Sequence, residues 1–338
     1  MWDLHTRTAH RRDRAPPGAR AARACRNPDL DDGKSLPLHR LLRHRAGDRS
    51  RGADDRVTFD YHEPRTLDDA VQLLARYGED AHLLAGGTAT VLLLRQGLLR
   101  PGHVVALRAI PELGGVRRTA DGGLRIGATA THRQVERSGD AYAYSPALVE
   151  AFASVATIRI RNQATVGGNL AHADPAQDPP PILAALGGAV TVRSSRGERS
   201  LPVEDLAVDH FTTSLAHDEV ITNIILPALA SGTRAIYLKF LPKTADDYAT
   251  VSVAASLRLA QNGTIADVRL VLGAVGPTPL RLHAVEDAMR GRPPDRVGDA
   301  LAMIPEQVEP LDDVRGSAAY KREMARIWTA RAVARLAA

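Results

Sequence analysis

Two glycine pairs, about eighty residues apart, constrain this chain more than any other feature. The first lies in residues 84–88 (LAGGT) and the second in residues 165–169 (TVGGN). Each pair follows a strand-like segment and precedes a hydroxyl or amide side chain. Residues without Cβ let backbone N–H groups approach an anion closely. One such pair is usually only a turn, whereas two with matching flanks predict loops that converge on the pyrophosphate of a dinucleotide.

The flanks of these pairs, together with shorter stretches elsewhere, carry a resemblance to a known family. The most specific stretch is residues 170–175 (LAHADP), which continues the second pair. The others are residues 59–64 (FDYHEP), 126–128 (IGA), 131–132 (TH), 160–162 (IRN), 237–239 (YLK), 247–249 (DYA) and 320–322 (YKR), with Asp178. From residue 59 to about 336 the chain resembles the FAD-binding medium subunit of the molybdenum hydroxylases, the family of carbon monoxide dehydrogenase and xanthine dehydrogenase.

Cysteine content and charge limit what the chain can do alone. The only cysteine among 338 residues is Cys25, which excludes a disulfide framework and an iron–sulfur cluster held by the usual thiolates. The formal net charge is +5, but residues 1–56 hold 14 of the 44 Lys and Arg and 8 of the 39 Asp and Glu. The remaining 30 basic and 31 acidic residues nearly cancel, so no nucleic-acid partner is expected.

No apolar run is long enough to span a bilayer, so we expect a soluble, cytoplasmic protein.

Residues 1–56 form an Arg-rich extension that we expect to be disordered or loosely attached. Arg11 and Arg12 are not followed by an apolar segment, so the pair does not indicate export. One interpretation is an upstream stretch included by a mis-called start, with Val57 as the alternative initiator. The other interpretation is a basic arm that contacts nucleic acid.

Local signals predict the secondary structure of the remainder. Thr66 and Asp69 resemble a capping box, and Gly78 ends the helix that follows. Further helices are expected near 89–96, 147–156, 182–186, 285–290 and 320–336, and strands at 81–85, 104–107, 124–126, 189–193, 249–260 and 265–273. Asn262 and Gly263 are a hairpin signal between the last two strands.

Together with the resemblance, these elements imply an α+β fold. A two-lobed α/β FAD-binding domain of the PCMH type would occupy residues 57–228, with lobes of about 57–115 and 116–228. A C-terminal antiparallel sheet-plus-helices domain, like that of the carbon monoxide dehydrogenase flavoproteins, would occupy residues 233–338. The small residues around 227–233 mark the expected boundary.

The resemblance also implies which residues bind FAD. The pyrophosphate would be cradled by backbone N–H groups and hydroxyls of Ala85, Gly86, Gly87, Thr88, Thr165, Gly167 and Gly168. Asn169 would support the second loop. Asp178 would accept hydrogen bonds from ribose hydroxyls, unless it only caps the next helix. Lys239 would lie near the flavin and stabilise its anionic reduced form, unless it is a surface lysine at a strand end.

No motif indicates hydrolytic or metal chemistry in this chain, so no catalytic residue is assigned. The resemblance implies an electron-transfer subunit of a heteromeric enzyme, a heterotrimer or its dimer. A large subunit would hold the molybdenum cofactor, and a small subunit the iron–sulfur clusters. The external acceptor would be NAD, a quinone or another oxidant. The alternatives are a self-contained FAD-dependent oxidoreductase with the same flavin-binding fold, and a non-catalytic scaffold.

Overall fold

The structure is a computed structural model, and it describes residues 58–241, 244 and 247–338. All of these residues belong to one structural unit that spans 57–338. The extension 1–56 and the alternative start at Val57 lie outside the described residues. No helix in the described part is long and apolar enough to cross a lipid bilayer.

The first lobe is a small parallel sheet flanked by helices. Its elements are β1 (Asp60–His62), α1 (Leu67–Tyr77), β2 (Ala81–Leu84), α2 (Thr90–Gln96) and β3 (His103–Ala106). The strand order is β1–β3–β2, and both pairings are parallel. Helix α1 begins at the predicted place because the Thr66 hydroxyl accepts the Asp69 N–H at 3.1 Å. The first glycine pair follows β2 at its carboxyl end, the edge at which open α/β sheets bind ligands.

The second lobe is built on a five-stranded antiparallel sheet with the order β4–β5–β10–β6–β7. Its elements are β4 (Val116–Arg118), β5 (Leu124–Gly127), α3 (His132–Glu136), α4 (Gly139–Tyr144), α5 (Pro146–Ala153), α6 (Ile158–Arg161), α7 (Val166–His172), α8 (Pro179–Ala185), β6 (Ala189–Ser194), β7 (Gly197–Pro202), β8 (Ala207–Asp209), β9 (Thr212–Thr213) and β10 (Val220–Leu226). Its core contains Phe152, Leu183 and Ile224, all fully buried. Because β10 is the middle strand of this order, the last strand of the lobe lies between β5 and β6 and closes the sheet.

The second glycine segment is not strand-like beyond its first residue, so that part of the sequence prediction is wrong. Thr165 is extended and caps α7, and Gly167 and Gly168 lie in the first helical turn. A threonine at this position accepts an N–H that the helix itself leaves without a partner. The first glycine pair precedes α2, whereas the second lies inside α7.

The C-terminal part is an antiparallel sheet with helices on one side. Its elements are β11 (Arg234–Phe240), β12 (Val251–Leu259), β13 (Ile265–Gly273), β14 (Leu280–Arg281), α9 (His283–Met289), α10 (Gly298–Ala302), α11 (Ile304–Gln307) and α12 (Ala318–Ala337). The strand order is β11–β12–β13–β14. Gly263 has φ +79 in the predicted turn between β12 and β13. The α+β class and this hairpin are confirmed.

Alternate residues of β12 face two different cores, as a strand buried on both faces requires. Val253, Ala255 and Leu257 pack in the core beneath α12, whereas Ala254 lies in the core of the second lobe with α5 and α8. The Ser256 hydroxyl also donates to the carbonyl oxygen of Ala185 in α8, at 2.9 Å. The C-terminal sheet therefore packs directly against the second lobe and brings β11 close to the residues that precede α8.

Candidate dinucleotide-binding site

The two glycine pairs lie against each other in space. A Cβ at Gly86 would stand 2.0 Å from the carbonyl oxygen of Gln163, two residues before Thr165. A Cβ at Gly168 would stand 3.7 Å from the Cβ of Ala85. The loops thus converge, as the matching flanks predict. Gly86 has no room for a side chain because backbone of the second segment fills that space.

The first pair carries backbone donors without acceptors. Gly87 has φ +74, a left-handed conformation that glycine adopts without strain. In the described part of the chain, nothing accepts a hydrogen bond from the N–H of Gly86, Gly87 or Thr88. Successive N–H groups at such a turn form a concavity suited to an anion. The predicted pyrophosphate contacts from Ala85 to Thr88 are therefore compatible with the geometry.

The second pair is different, because its own fold already uses the glycine donors. The Gly167 N–H donates to the Ala128 carbonyl at 2.8 Å, and the Gly168 N–H donates to the Thr165 hydroxyl oxygen at 3.2 Å. A Cβ at Gly167 would stand 2.7 Å from that of Ala128. Both N–H groups therefore already have acceptors: that of Gly167 joins the first turn of α7 to Ala128, and that of Gly168 completes the N-cap of the same helix. Cradling of the pyrophosphate by these two groups stays a prediction. The proton of the Thr165 hydroxyl remains available for a ligand oxygen.

Two buried amide oxygens near the loops have no hydrogen-bond partner among the described residues. They are Oδ1 of Asn169, in α7, and Oε1 of Gln177, next to Asp178. An unpaired buried acceptor costs free energy, so each such group indicates a missing donor. Hydroxyl and amide groups of a dinucleotide would supply donors here. Gln177 was not predicted from the sequence, and its only signal is its place beside Asp178.

Asp178 and Lys239 form a buried ion pair. Lys239 Nζ lies 2.9 Å from Asp178 Oδ2, with both side chains 6% exposed. It also donates to the Ser154 carbonyl at 2.9 Å. The Tyr237 hydroxyl donates to Asp178 Oδ1 at 2.5 Å. Burial raises the pKa of Asp178, and the charge of Lys239 and the hydrogen bond from Tyr237 oppose that rise.

This arrangement decides between some of the alternatives left by the sequence. Asp178 occupies the N-cap position of α8 but makes no capping hydrogen bond there, so the simple capping interpretation is wrong. Lys239 is buried, so it is not a surface lysine at a strand end. The roles of Asp178 at the ribose and Lys239 at the flavin stay predictions. Tyr237 was not among the predicted site residues, although its stretch was recognised.

Arg161 organises the backbone ahead of the second glycine pair. Its guanidinium donates to the carbonyl oxygens of Val155 and Ala156, both at 2.8 Å, and to Glu136 Oε2 at 2.9 Å. Its side chain is 13% exposed. Arg161 thus connects Glu136 in α3 with the backbone that precedes α6.

His132 fills the space behind the second glycine segment. Its backbone N–H donates to the Ala164 carbonyl at 2.9 Å. Its ring contacts the ring of Phe152 edge-on, with the two centroids 5.3 Å apart. Neither ring nitrogen has a hydrogen-bond partner within the described residues. Burial lowers the pKa of His132 to about 4. The imidazole is therefore neutral at physiological pH.

Tyr248 links the loop after β11 to the residues that follow α7. Arg315 lies over its ring at 5.3 Å from the centroid. Burial and the neighbouring Asp174 carboxylate raise the pKa of Tyr248 to about 12. The described ranges contain no group of three or more His, Cys, Asp or Glu side chains able to hold a metal ion.

Comparison with known proteins identifies both parts of the chain. Residues 57–229 match the family described as "FAD binding domain in molybdopterin dehydrogenase". Residues 236–336 match the "CO dehydrogenase flavoprotein C-terminal domain". The converging glycine loops and Asp178 lie in the first of these matched regions, and Lys239 lies in the second.

Individual relatives agree with the family matches. The carbon monoxide dehydrogenase medium chain of Hydrogenophaga pseudoflava is 33% identical over 272 residues, which are 79% of this chain and 93% of that protein. The 6-hydroxypseudooxynicotine dehydrogenase complex subunit alpha of Paenarthrobacter nicotinovorans is 33% identical over 281 residues, 82% of this chain and 94% of the relative. The solved carbon monoxide dehydrogenase from H. pseudoflava lacking the Mo-pyranopterin moiety has a chain that matches with TM-score 0.78 and 34% identity, covering 82% of this chain and 96% of that one.

The fold and the converging loops define a two-part, dinucleotide-binding flavoprotein. More specifically, the chain belongs to the family of FAD-binding medium subunits of the molybdenum hydroxylases, and it is an oxidoreductase subunit. The residues present fit FAD. On the converging loops, the N–H groups of Gly86, Gly87 and Thr88 have no acceptor among the described residues, the Thr165 hydroxyl can donate, and the Asn169 oxygen lacks a donor.

Proposed function

We propose that this chain is the electron-transfer subunit of a heteromeric molybdenum hydroxylase. It would accept electrons from iron–sulfur centres on a small subunit and deliver them to an external acceptor such as NAD or a quinone. Bound FAD would supply the redox chemistry that amino-acid side chains lack. The observation that carries the proposal is a chain with one cysteine that matches a flavoprotein family over both of its parts.

In this proposal the side chains bind and orient the cofactor and do not act on the organic substrate. The N–H groups of Gly86, Gly87 and Thr88 would face the pyrophosphate, and the Thr165 hydroxyl would donate to one of its oxygens. Asn169 and Gln177 would accept hydrogen bonds that nothing else in the described chain provides. Asp178 and Lys239 would set the local charge, and Arg161 would keep the second loop in place.

The substrate is not a property of this chain in the proposal. Two of the relatives are named for carbon monoxide and for 6-hydroxypseudooxynicotine, which share no chemical group that one pocket would recognise. Substrate oxidation would take place at a molybdenum cofactor on a large subunit.

Purification of the tagged full chain from its natural source, under anaerobic conditions, tests the proposal. We expect two further subunits, with molybdenum, iron and FAD in fixed ratios. After chemical reduction of the complex, added NAD or quinone should reoxidise the flavin absorbance. A chain that is isolated alone with FAD, and that oxidises a substrate without metals, would favour the self-contained oxidoreductase.

A further inference from the structure

Tyr237 and Lys239 reach one carboxylate from the same strand. They are two residues apart on β11, so their side chains point to the same face. Each donates to a different oxygen of Asp178, at 2.5 Å from the Tyr237 hydroxyl and 2.9 Å from Lys239 Nζ. The carboxylate belongs to the second lobe and the two donors to the C-terminal sheet. The contact therefore joins the second lobe to the C-terminal sheet through Asp178 and Lys239, two residues that the family resemblance assigns to the cofactor site.

Tyr237 is a buried tyrosine that keeps its proton beside the Asp178 carboxylate. Tyr237 is 6% exposed, and it keeps its proton, since burial raises its pKa well above the ordinary value and the Asp178 charge adds to the rise. The Ser252 hydroxyl on neighbouring β12 opposes that rise. Tyr237 is therefore a permanent hydrogen-bond donor to Asp178. In the observed orientation of the carboxylate, Lys239 reaches only Oδ2, and Tyr237 supplies the donor to Oδ1.

We propose that Tyr237 is a positioning residue of the FAD site: its hydroxyl fixes the Asp178 carboxylate, and through it the Lys239 ammonium, in the orientation that binds the cofactor. Lys239 is held on two sides, by Asp178 and by the Ser154 carbonyl, so an ammonium with three donors retains one for a ligand. Without the Tyr237 hydroxyl, the Asp178 carboxylate could rotate until both of its oxygens face Lys239. This inference rests on the proposed FAD site.

The fold offers a matched control for this hydroxyl. Tyr144 in α4 is 7% exposed, and its hydroxyl donates to the Pro227 carbonyl at 2.8 Å, away from the glycine loops. Tyr237→Phe and Tyr144→Phe each remove one buried hydroxyl and change nothing else. Each change should lower the free energy of unfolding, and Tyr237→Phe by more, because its partner is a carboxylate and that of Tyr144 is a neutral carbonyl. Only the first change should alter FAD binding.

The test is an FAD titration of the full chain, followed by flavin fluorescence, for the wild type and both variants. Thermal unfolding of each apoprotein serves as the stability reading. We expect Tyr144→Phe to bind FAD like the wild type, and Tyr237→Phe to bind about tenfold more weakly, as loss of a hydrogen bond to a charged group implies. Equal affinity in all three proteins would overturn the positioning role while the FAD site stands. A wild type that does not bind FAD would overturn the site itself, and this inference with it.

A pH series separates positioning from a merely structural effect. The groups that face Asp178 are Lys239 and Tyr237 on β11, and Tyr248 in the following loop feels its charge. Because the Tyr237 hydrogen bond opposes the raised pKa of Asp178, its removal should make the carboxylate easier to protonate. The loss of FAD on acidification should then begin at a higher pH in Tyr237→Phe than in the wild type or Tyr144→Phe. Identical pH profiles would count against the proposal.

A second variant covers the possibility that Tyr237→Phe does not fold. Ser252→Ala removes the hydroxyl beside Tyr237 and leaves the ring in place. We expect weaker FAD binding than in the wild type, by a smaller factor than for Tyr237→Phe. If the folded Ser252→Ala variant binds FAD with wild-type affinity and an unchanged pH profile, the positioning role is refuted.

Discussion

Gly86→Ala tests whether the contact between the two glycine pairs matters. The added Cβ would stand 2.0 Å from the Gln163 carbonyl oxygen and 3.1 Å from the Cα of Ala164. Ordinary contacts begin at 3.4 Å, so the loops would have to separate by more than an ångström. The neighbouring atoms are backbone, so no side-chain rotation relieves the clash. Gly86 does not have a left-handed φ, so the effect would come from crowding alone.

The magnitude follows from the cost of overpacking. Inserting a methyl group into a closely packed place typically costs about 1–3 kcal/mol. If the first loop moves away to relieve the clash, that cost appears as lost FAD affinity, about tenfold for each 1.4 kcal/mol. We therefore expect FAD to bind about 10- to 100-fold more weakly to Gly86→Ala.

Gly139→Ala is the matched control, because a Cβ at that glycine meets nothing within 4 Å and its φ is also not left-handed. Dissociation constants for FAD and apoprotein unfolding temperatures would be measured for both variants and the wild type. We expect Gly139→Ala to match the wild type in FAD affinity and to unfold at the same or a slightly higher temperature. If Gly86→Ala also matched the wild type in stability and in FAD affinity, the packed contact between the loops would be refuted.

Two further predictions concern buried ionisable groups. Folding lowers the pKa of His132 from 6.5 to about 4, so on acidification the imidazole of the unfolded chain takes up a proton at a higher pH than that of the folded chain. Acidification from about pH 7.5 to 4.5 should therefore lower the free energy of unfolding by about 2.5 kcal/mol. Denaturant titrations at both pH values measure this change, and in His132→Leu the free energy of unfolding should depend less on pH. If the variant showed the same pH dependence as the wild type, the prediction would be contradicted. Glu286 is fully buried and accepts hydrogen bonds from Arg281 and the Leu270 N–H, so Glu286→Gln should destabilise the chain by about 3 kcal/mol. Exposed Glu323→Gln is the control, and equal unfolding temperatures for the two variants would show that the buried pair is unimportant.

The sequence predicted best where the signal is local. Thr66 and Gly78 bound α1 as expected, because a hydroxyl cap and a glycine end are properties of a few adjacent residues. The hairpin at Asn262 and Gly263 needs only a left-handed glycine between two apolar strands. The convergence of the two glycine pairs was predicted from the similarity of their flanks and from the family resemblance. The close approach of Gly86 to the Gln163 carbonyl agrees with that prediction.

The features that sequence reasoning missed depend on contacts between distant segments. Nothing near Gly167 indicates that its N–H is taken by Ala128, because that pairing forms only after the second lobe folds. Thr165 and Val166, the strand-like residues before the second glycine pair, are types that favour strands, yet capping by Thr165 begins a helix at Val166. Tyr237 and Asp178 are 59 residues apart in the chain. Their hydrogen bond requires the C-terminal sheet to pack against the second lobe, which no local pattern reveals.

The most direct measurement is the FAD content of the purified full chain. The protein would be saturated with FAD, freed of excess cofactor by gel filtration, and examined by visible absorption, with the cofactor then released by denaturation and quantified. We predict one FAD per chain, released unmodified, and a lower occupancy for Gly86→Ala. A folded chain that stays colourless and ignores added FAD would contradict the assignment of the converging glycine loops as the cofactor site.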